Sequence, residues 1–223
     1  MGSHLRQENQ ENIGYLDLPD DFYDIQTKSS NPLRSWFHSK RQEIVQSLVL
    51  SEYKNKDVVV DLACGNCVWN AKKIPVIGVD INKKLMEHAI KQGRLSKAVV
   101  CDIRKIKLPK NYADIVVATE VLEHLHDYKE VISEIRRILK PKGVAIISVP
   151  FDTLLSMWMP LFGIQCFIQG YLFGNDYYKK QCGHVNHFSP KTIRQAFEES
   201  GFSAKRQFGN FRFTIFNIFK KRD

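Results

Sequence analysis

From Val58 onward the chain alternates two patterns. In one, apolar residues fill every position of a short run; in the other, they recur every three or four positions over a longer stretch. Val58-Val59-Val60, Val76-Ile77-Gly78-Val79, Ala98-Val99-Val100-Cys101, Ile115 to Thr119 and Val144 to Val149 are runs of the first kind. Strands covered on both faces need such runs, because neither side may carry polar groups. Tyr128, Val131, Ile132, Ile135, Ile138 and Leu139 form one helical stripe, with Asp127 and Glu130 placed as a capping pair and Pro141 and Gly143 placed to end it. A second helix is predicted after Asn31-Pro32, with Leu33, Trp36, Phe37, Ile44, Val45 and Leu48 on one face. Arg41 shares that face. It is either a stem that packs while its guanidinium reaches water, or a cation aimed into a site. Ser189-Pro190 opens a third helix that buries Ile193, Ala196 and Phe197 and stops at Gly201, and the tail alternates around Gly209-Asn210 as a closing antiparallel hairpin. The alternation predicts an α/β fold, a doubly wound and mostly parallel seven-stranded sheet.

Residues 1–30 are polar and without period and read as a loose leader, whose first four residues resemble an expression-tag remnant. Residues 31–223 read as one domain. The 223 residues carry 33 Lys+Arg against 24 Asp+Glu, a net charge of +9 that favours an anionic partner. Five cysteines are an odd number, so a disulfide framework is not expected and a cytoplasmic setting is. Secreted, collagen-like and disordered classes are excluded. An uncharged run from Thr153 to Asn175 interrupts the charged background. Its Pro160, Gln165, Gln169 and glycines argue against a membrane span.

Ligands of doubly wound sheets bind at the carboxyl ends of the strands, and four successive runs here end in an acid: Asp61, Asp80, Asp102 and Glu120. Such acids suit hydroxyls, an amino group or a cationic centre and disfavour a bare pyrophosphate. Asp80 follows Asp61 at the distance where an acid after the second strand holds ribose hydroxyls. The turn after the first run, Asp61-Leu-Ala-Cys-Gly-Asn-Cys67, has one glycine and lacks the G-x-G-x-x-G of dinucleotide enzymes.

In these motifs, in this order, the chain from about Val58 to Phe219 resembles the class I S-adenosylmethionine-dependent methyltransferases. Within them it is similar to the type 11 and ubiquinone-pathway O-methyltransferase groups. Asp61-Leu-Ala-Cys-Gly-Asn resembles their glycine loop, Val-Ile-Gly-Val-Asp80-Ile81 the segment whose acid binds the ribose, and Cys101-Asp102-Ile103 the segment that meets the adenine. Ala-Thr-Glu-Val-Leu-Glu-His-Leu125 resembles the fourth-strand block, Leu-Lys-Pro-Lys-Gly143 the turn into the fifth strand, and His-Val-Asn-His-Phe-Ser-Pro190 with Glu-Ser-Gly-Phe202 the ending of many small-molecule members. The resemblance implies a Rossmann-like methyltransferase fold. It implies S-adenosylmethionine as cofactor, with S-adenosylhomocysteine as product, held by Arg41, Asp61, Ala63, Cys64, Gly65, Asp80, Ile81, Cys101, Asp102, Ile103, Thr119 and Glu120. Arg41 takes the cofactor carboxylate in that scheme. Two departures stand out: Ala63 and Cys67 occupy positions where glycines are usual, and the stretch between the first two strands leaves room for only a stunted helix.

Residues 120–124 have the form E-x-x-E-H, similar to a metal-binding block in ubiquinone-pathway and small-RNA methyltransferases. Glu120, Glu123, His124 and His184 are therefore metal candidates, although the metal-free reading is preferred. Without metal, His124 and His187 are candidate general bases. The resemblance places an acceptor lid at 151–187, and its apolar, aromatic residues suit a lipid-like or aromatic small molecule. The expected reaction is methyl transfer to a small apolar acceptor, with O-methylation slightly favoured and peripheral contact with an anionic membrane surface assisted by the basic charge. An RNA methyltransferase and a non-catalytic partner subunit are the alternatives.

Overall fold

The computed structural model describes residues 14–152, 164, 167–172, 174, 184–210 and 212–223. Strands β1 (Val59–Leu62), β2 (Val76–Asp80), β3 (Lys97–Val100), β4 (Ala113–Thr119) and β5 (Leu139–Pro150) run parallel, and β6 (Phe202–Asn210) and β7 (Thr214–Lys221) add an antiparallel hairpin. The sheet order is β3-β2-β1-β4-β5-β7-β6. Val60 lies beside Ile77 on one side and Val116 on the other, and Ile146 lies between Val117 and Ile218. The fully apolar runs are thus the strands of the middle of the sheet, as burial on both faces requires.

Helices close both faces. Helix α4 (Tyr128–Ile138) and α5 (Pro190–Glu199) bring Val131, Ile132, Ile135, Ile138, Ile193 and Phe197 to one core, while α2 (Pro32–Glu52) and α3 (Lys83–Lys91) bring Val45, Leu48, Val49, Met86 and Ala89 to the other. The Asn31 side chain caps α2 by accepting from the Leu33 and Arg34 amides, and Ser189 caps α5 in a reciprocal pair with Thr192. The order in which strands are added switches side between β1 and β4, so the crevice expected to take a ligand lies at their carboxyl ends.

The structure corrects several local expectations. Asp127 makes no side-chain cap on α4, which ends at Ile138 before Pro141 is reached, so Pro141 and Gly143 fall inside β5. Leu33 and Trp36 at the start of α2 are exposed, because burial on this helix begins only at Val45. Between β1 and β2 there is no helix at all. The chain crosses by consecutive turns, with Trp69 buried beneath them and the Asn70 amide bonded to the Ile74 and Arg94 carbonyls. Residues 14–30, expected as part of a loose leader, pack against the β1 loop and contain a short helix, α1 (Phe22–Thr27). Most of the lid expected at 151–187 lies outside the described residues. Among the described residues no helix is long and apolar enough to cross a membrane.

Candidate active site

The loop after β1 carries three residues in the left-handed region: Ala63 at φ +49°, Gly65 at +49° and Cys67 at +48°. The backbone therefore keeps glycine geometry at two positions that lack glycine, which costs each about 1–2 kcal/mol. At Gly65 a glycine is required, because a Cβ would stand 2.7 Å from the Tyr23 ring. Ala63→Gly is expected to stabilise the fold by about 0.5–1 kcal/mol, read as a higher urea midpoint, since relief of strain outweighs the added freedom of the unfolded chain. A lower midpoint would show that Ala63 sits without strain.

Under this loop Asp61 is buried and accepts from the Trp69 indole at 2.8 Å. Burial pushes its carboxyl up to about 7, against the opposing pull of hydrogen bonds from Trp69 and Cys67. Asp61 thus braces the loop from below. Asp80, at the end of β2, accepts from the Gly65 amide at 2.8 Å and the Asn82 amide at 2.8 Å, and burial raises its pKa. Ile81 adds a backbone bond to it. Cys64 and Cys67 are free thiols whose pKa values burial pushes up, so neither is activated as a nucleophile.

Cys101 and Ile103, beyond β3, are buried in or beside the core, and the Asp102 carboxylate between them turns to its neighbour Arg104 at 2.6 Å. Thr119 ends β4, and Glu120 follows at φ +52°, another left-handed non-glycine. Glu120 is held by Arg41 at 3.0 Å and by the Ser148 hydroxyl at 2.7 Å. The Arg41 guanidinium does not reach out to water: its side chain is 14% exposed and it spans 79 positions to pair with Glu120 beyond the end of β4.

A second constellation stands beside the first. Asp152 Oδ2 lies 2.8 Å from His187 Nδ1 and 3.1 Å from His184 Nδ1, and the His184 ring is 5.0 Å from that of His124. Burial would raise the Asp152 carboxyl, but the two imidazoles hold it below the usual range, so it is an acceptor only. Each Nδ1 then donates to the carboxylate. Glu123 is 1% exposed, its Oε2 has no hydrogen-bond partner among the described residues, and burial, then the Glu120 charge, raises its pKa. Ligand atoms of Glu123, His124 and His184 lie within 4.8 Å of one another. Glu120, the fourth metal candidate, is committed to Arg41 instead.

Sequence reasoning missed Tyr15, Tyr23, Trp69, Ser148 and Asp152. Only Asp152 had a signal: it follows the end of β5 by two residues, as Asp102 follows β3, a fifth acid on the same edge.

A family model described as a methyltransferase domain matches residues 60–147, from β1 into β5. Over 108 residues the chain is 35% identical to an uncharacterized protein of Methanocaldococcus jannaschii, covering 46% of each. It is 30% identical over 139 residues to a ubiquinone/menaquinone biosynthesis C-methyltransferase of Paraburkholderia phymatum, covering 57% of this chain and 53% of that one. The chain spans about half the length of these curated relatives. In the solved complex of the Haloferax volcanii Trm112 methyltransferase activator with a methyltransferase, a chain of the same fold aligns at a TM-score of 0.63 and 16% identity, over 85% of this chain and 93% of that one. The matched stretch contains the left-handed loop after β1, the Asp80 carboxylate that grips it and Glu120 beyond the end of β4, and over residues 60–147 the chain is similar to methyltransferase domains.

Proposed function

We propose that the chain transfers a methyl group from S-adenosylmethionine to a hydroxyl of a small, apolar acceptor, with His187 as the general base. The observation that carries this is the Asp152 carboxylate gripping the His187 Nδ1 at the edge where Asp80 and Glu120 also end their strands. The bound cofactor supplies an electrophilic methyl on a sulfonium whose departure as a neutral thioether needs no acid. Asp80 and Gly65 hold the ribose end, and Arg41 receives the carboxylate end. With an acceptor hydroxyl in place, His187 Nε2 would take the proton that the acceptor oxygen loses as it is methylated. Exposed Ile164, Phe167 and Leu172 on the lid segment, with Leu33 and Trp36, support an apolar acceptor and docking at an anionic membrane surface.

A second reading adds a divalent cation at Glu123, His124 and His184. The orphaned, buried Glu123 Oε2 favours it, and the Asp152–His184 bond is the kind of support that imidazole ligands use. Such a cation would polarise the acceptor oxygen.

Calorimetry with S-adenosylmethionine and S-adenosylhomocysteine is expected to show stoichiometric binding, followed by methyl transfer to quinol or phenol acceptors. Binding of neither compound would end the enzyme reading. Elemental analysis decides the cation: a metal lost in Glu123→Gln supports it, and a full transfer rate in chelator retires it.

A further inference from the structure

Asp80, which the proposed function assigns to the cofactor ribose, already has an occupant. The Tyr15 hydroxyl donates to Asp80 Oδ2 at 2.9 Å, and the Tyr15 carbonyl accepts from Asn82 Nδ2 at 2.7 Å. Oδ2 therefore accepts from both Gly65 N and Tyr15, while Oδ1 accepts from Asn82 N. A carboxylate oxygen has two lone pairs, so a ribose diol, which needs one site on each oxygen, finds Oδ2 full. The open face of Gly65, where a ligand would approach the backbone, is covered by the Tyr23 ring.

The covering segment is held by polar clamps. Asp24 takes a bidentate pair from Arg94 at 2.6 and 3.0 Å and a bond from Asn66 at 2.9 Å, and His88 lies 3.3 Å from it. No residue of α1 is buried, and Leu16 and Ile25 face solvent. A segment closed by such bonds and little apolar area opens locally at low cost.

We infer that residues 14–27 form a strap that competes with the cofactor for its site, so that binding requires Tyr15 to leave Asp80. This rests on the assignment of Asp80 and Gly65 to the cofactor. The affinity observed is then the intrinsic one reduced by the fraction of molecules that are open. A strap that instead roofs the bound cofactor would have the opposite signature.

Calorimetry with S-adenosylhomocysteine on the full chain separates the two. Tyr15→Phe, which keeps the ring and removes the bond to Asp80, is expected to bind about tenfold tighter than the wild type. Asp24→Asn, which touches neither Asp80 nor the Asp152 histidines, is expected to bind several-fold tighter through loss of the Arg94 clamp. Saturating ligand is expected to speed amide exchange across 14–27 in the wild type. Unchanged or weaker binding in both variants, or protection of 14–27 by ligand, would overturn the strap while leaving the cofactor assignment in place. Absence of binding in the wild type and both variants would instead overturn the cofactor assignment, and the strap with it.

Discussion

Replacing His187 with alanine is expected to lower kcat for methyl transfer by roughly two to four orders of magnitude, with the affinity for S-adenosylhomocysteine unchanged within about twofold. The split follows from position. His187 touches neither Asp80 nor Gly65, and its side chain is half exposed beside Asp152, where an acceptor can reach it. Its effect thus belongs to the transition state, where the acceptor oxygen sheds its proton. Asp152→Asn is expected to cost a similar factor. An asparagine offers one acceptor and one donor where two imidazole N–H groups now share a single carboxylate oxygen, so at least one ring loses its orientation or its tautomer. The double variant should be no slower than the worse single one, because both remove the same proton transfer. A His187→Ala enzyme that keeps its rate within about threefold removes the base assignment, and a loss confined to KM makes His187 a binding residue.

What could be read in the sequence was what repeats locally. The β1, β2, β4 and β5 runs announce themselves because a strand covered on both faces is apolar at nearly every position, with polar residues such as Asp61 and Ser148 toward its carboxyl end, and the Asn31 and Ser189 caps because a cap acts within three residues. The Asp127 and Glu130 pair shows the limit of that logic: the right letters at the right spacing form no side-chain cap, since packing of Val131 and Ile135 already fixes the helix. The stripe on α2 gave a face but not its extent, and Leu33 and Trp36 stay exposed because the sheet beneath the helix is reached only near Val45. Contacts between polar groups far apart in the chain left no pattern to read. Tyr15 on Asp80 spans 65 positions and Arg41 on Glu120 spans 79, and neither residue type marks its partner. The crossing from β1 to β2 shows the same thing from the other side. Its brevity predicted a small helix, whereas Trp69 and Asn70 fill that space by burial and by bonds to carbonyls no local rule connects to them.

Between about pH 4 and pH 8 the wild-type fold is expected to lose up to roughly 4 kcal/mol through Asp61 alone, and Asp61→Asn is expected to abolish that slope. In the unfolded chain this carboxyl ionises near its ordinary 3.8, whereas in the fold burial holds it protonated until about 7. Below 3.8 both states carry the proton and the fold is undiminished. As pH rises toward 7 only the unfolded chain gains by ionising, and above 7 the native state must carry a charge in an apolar pocket. At about 1.4 kcal/mol for each pH unit the difference reaches roughly 4 kcal/mol. Asp80, Cys64 and Cys67 surround the group. Asp80 is raised as well and adds in the same direction, while both thiols remain protonated across this range. Asp24, Asp102 and Asp152 are held below their ordinary values and weaken the fold only on the acid side. The stability maximum should therefore sit at about pH 4–6, below the usual neutral range. Asparagine keeps an oxygen for the Trp69 indole and cannot ionise, so its urea midpoint should overtake the wild type as pH rises through 7. Midpoints that run parallel from pH 4.5 to 8 would mean that water reaches Asp61 and that the loop above it is not sealed.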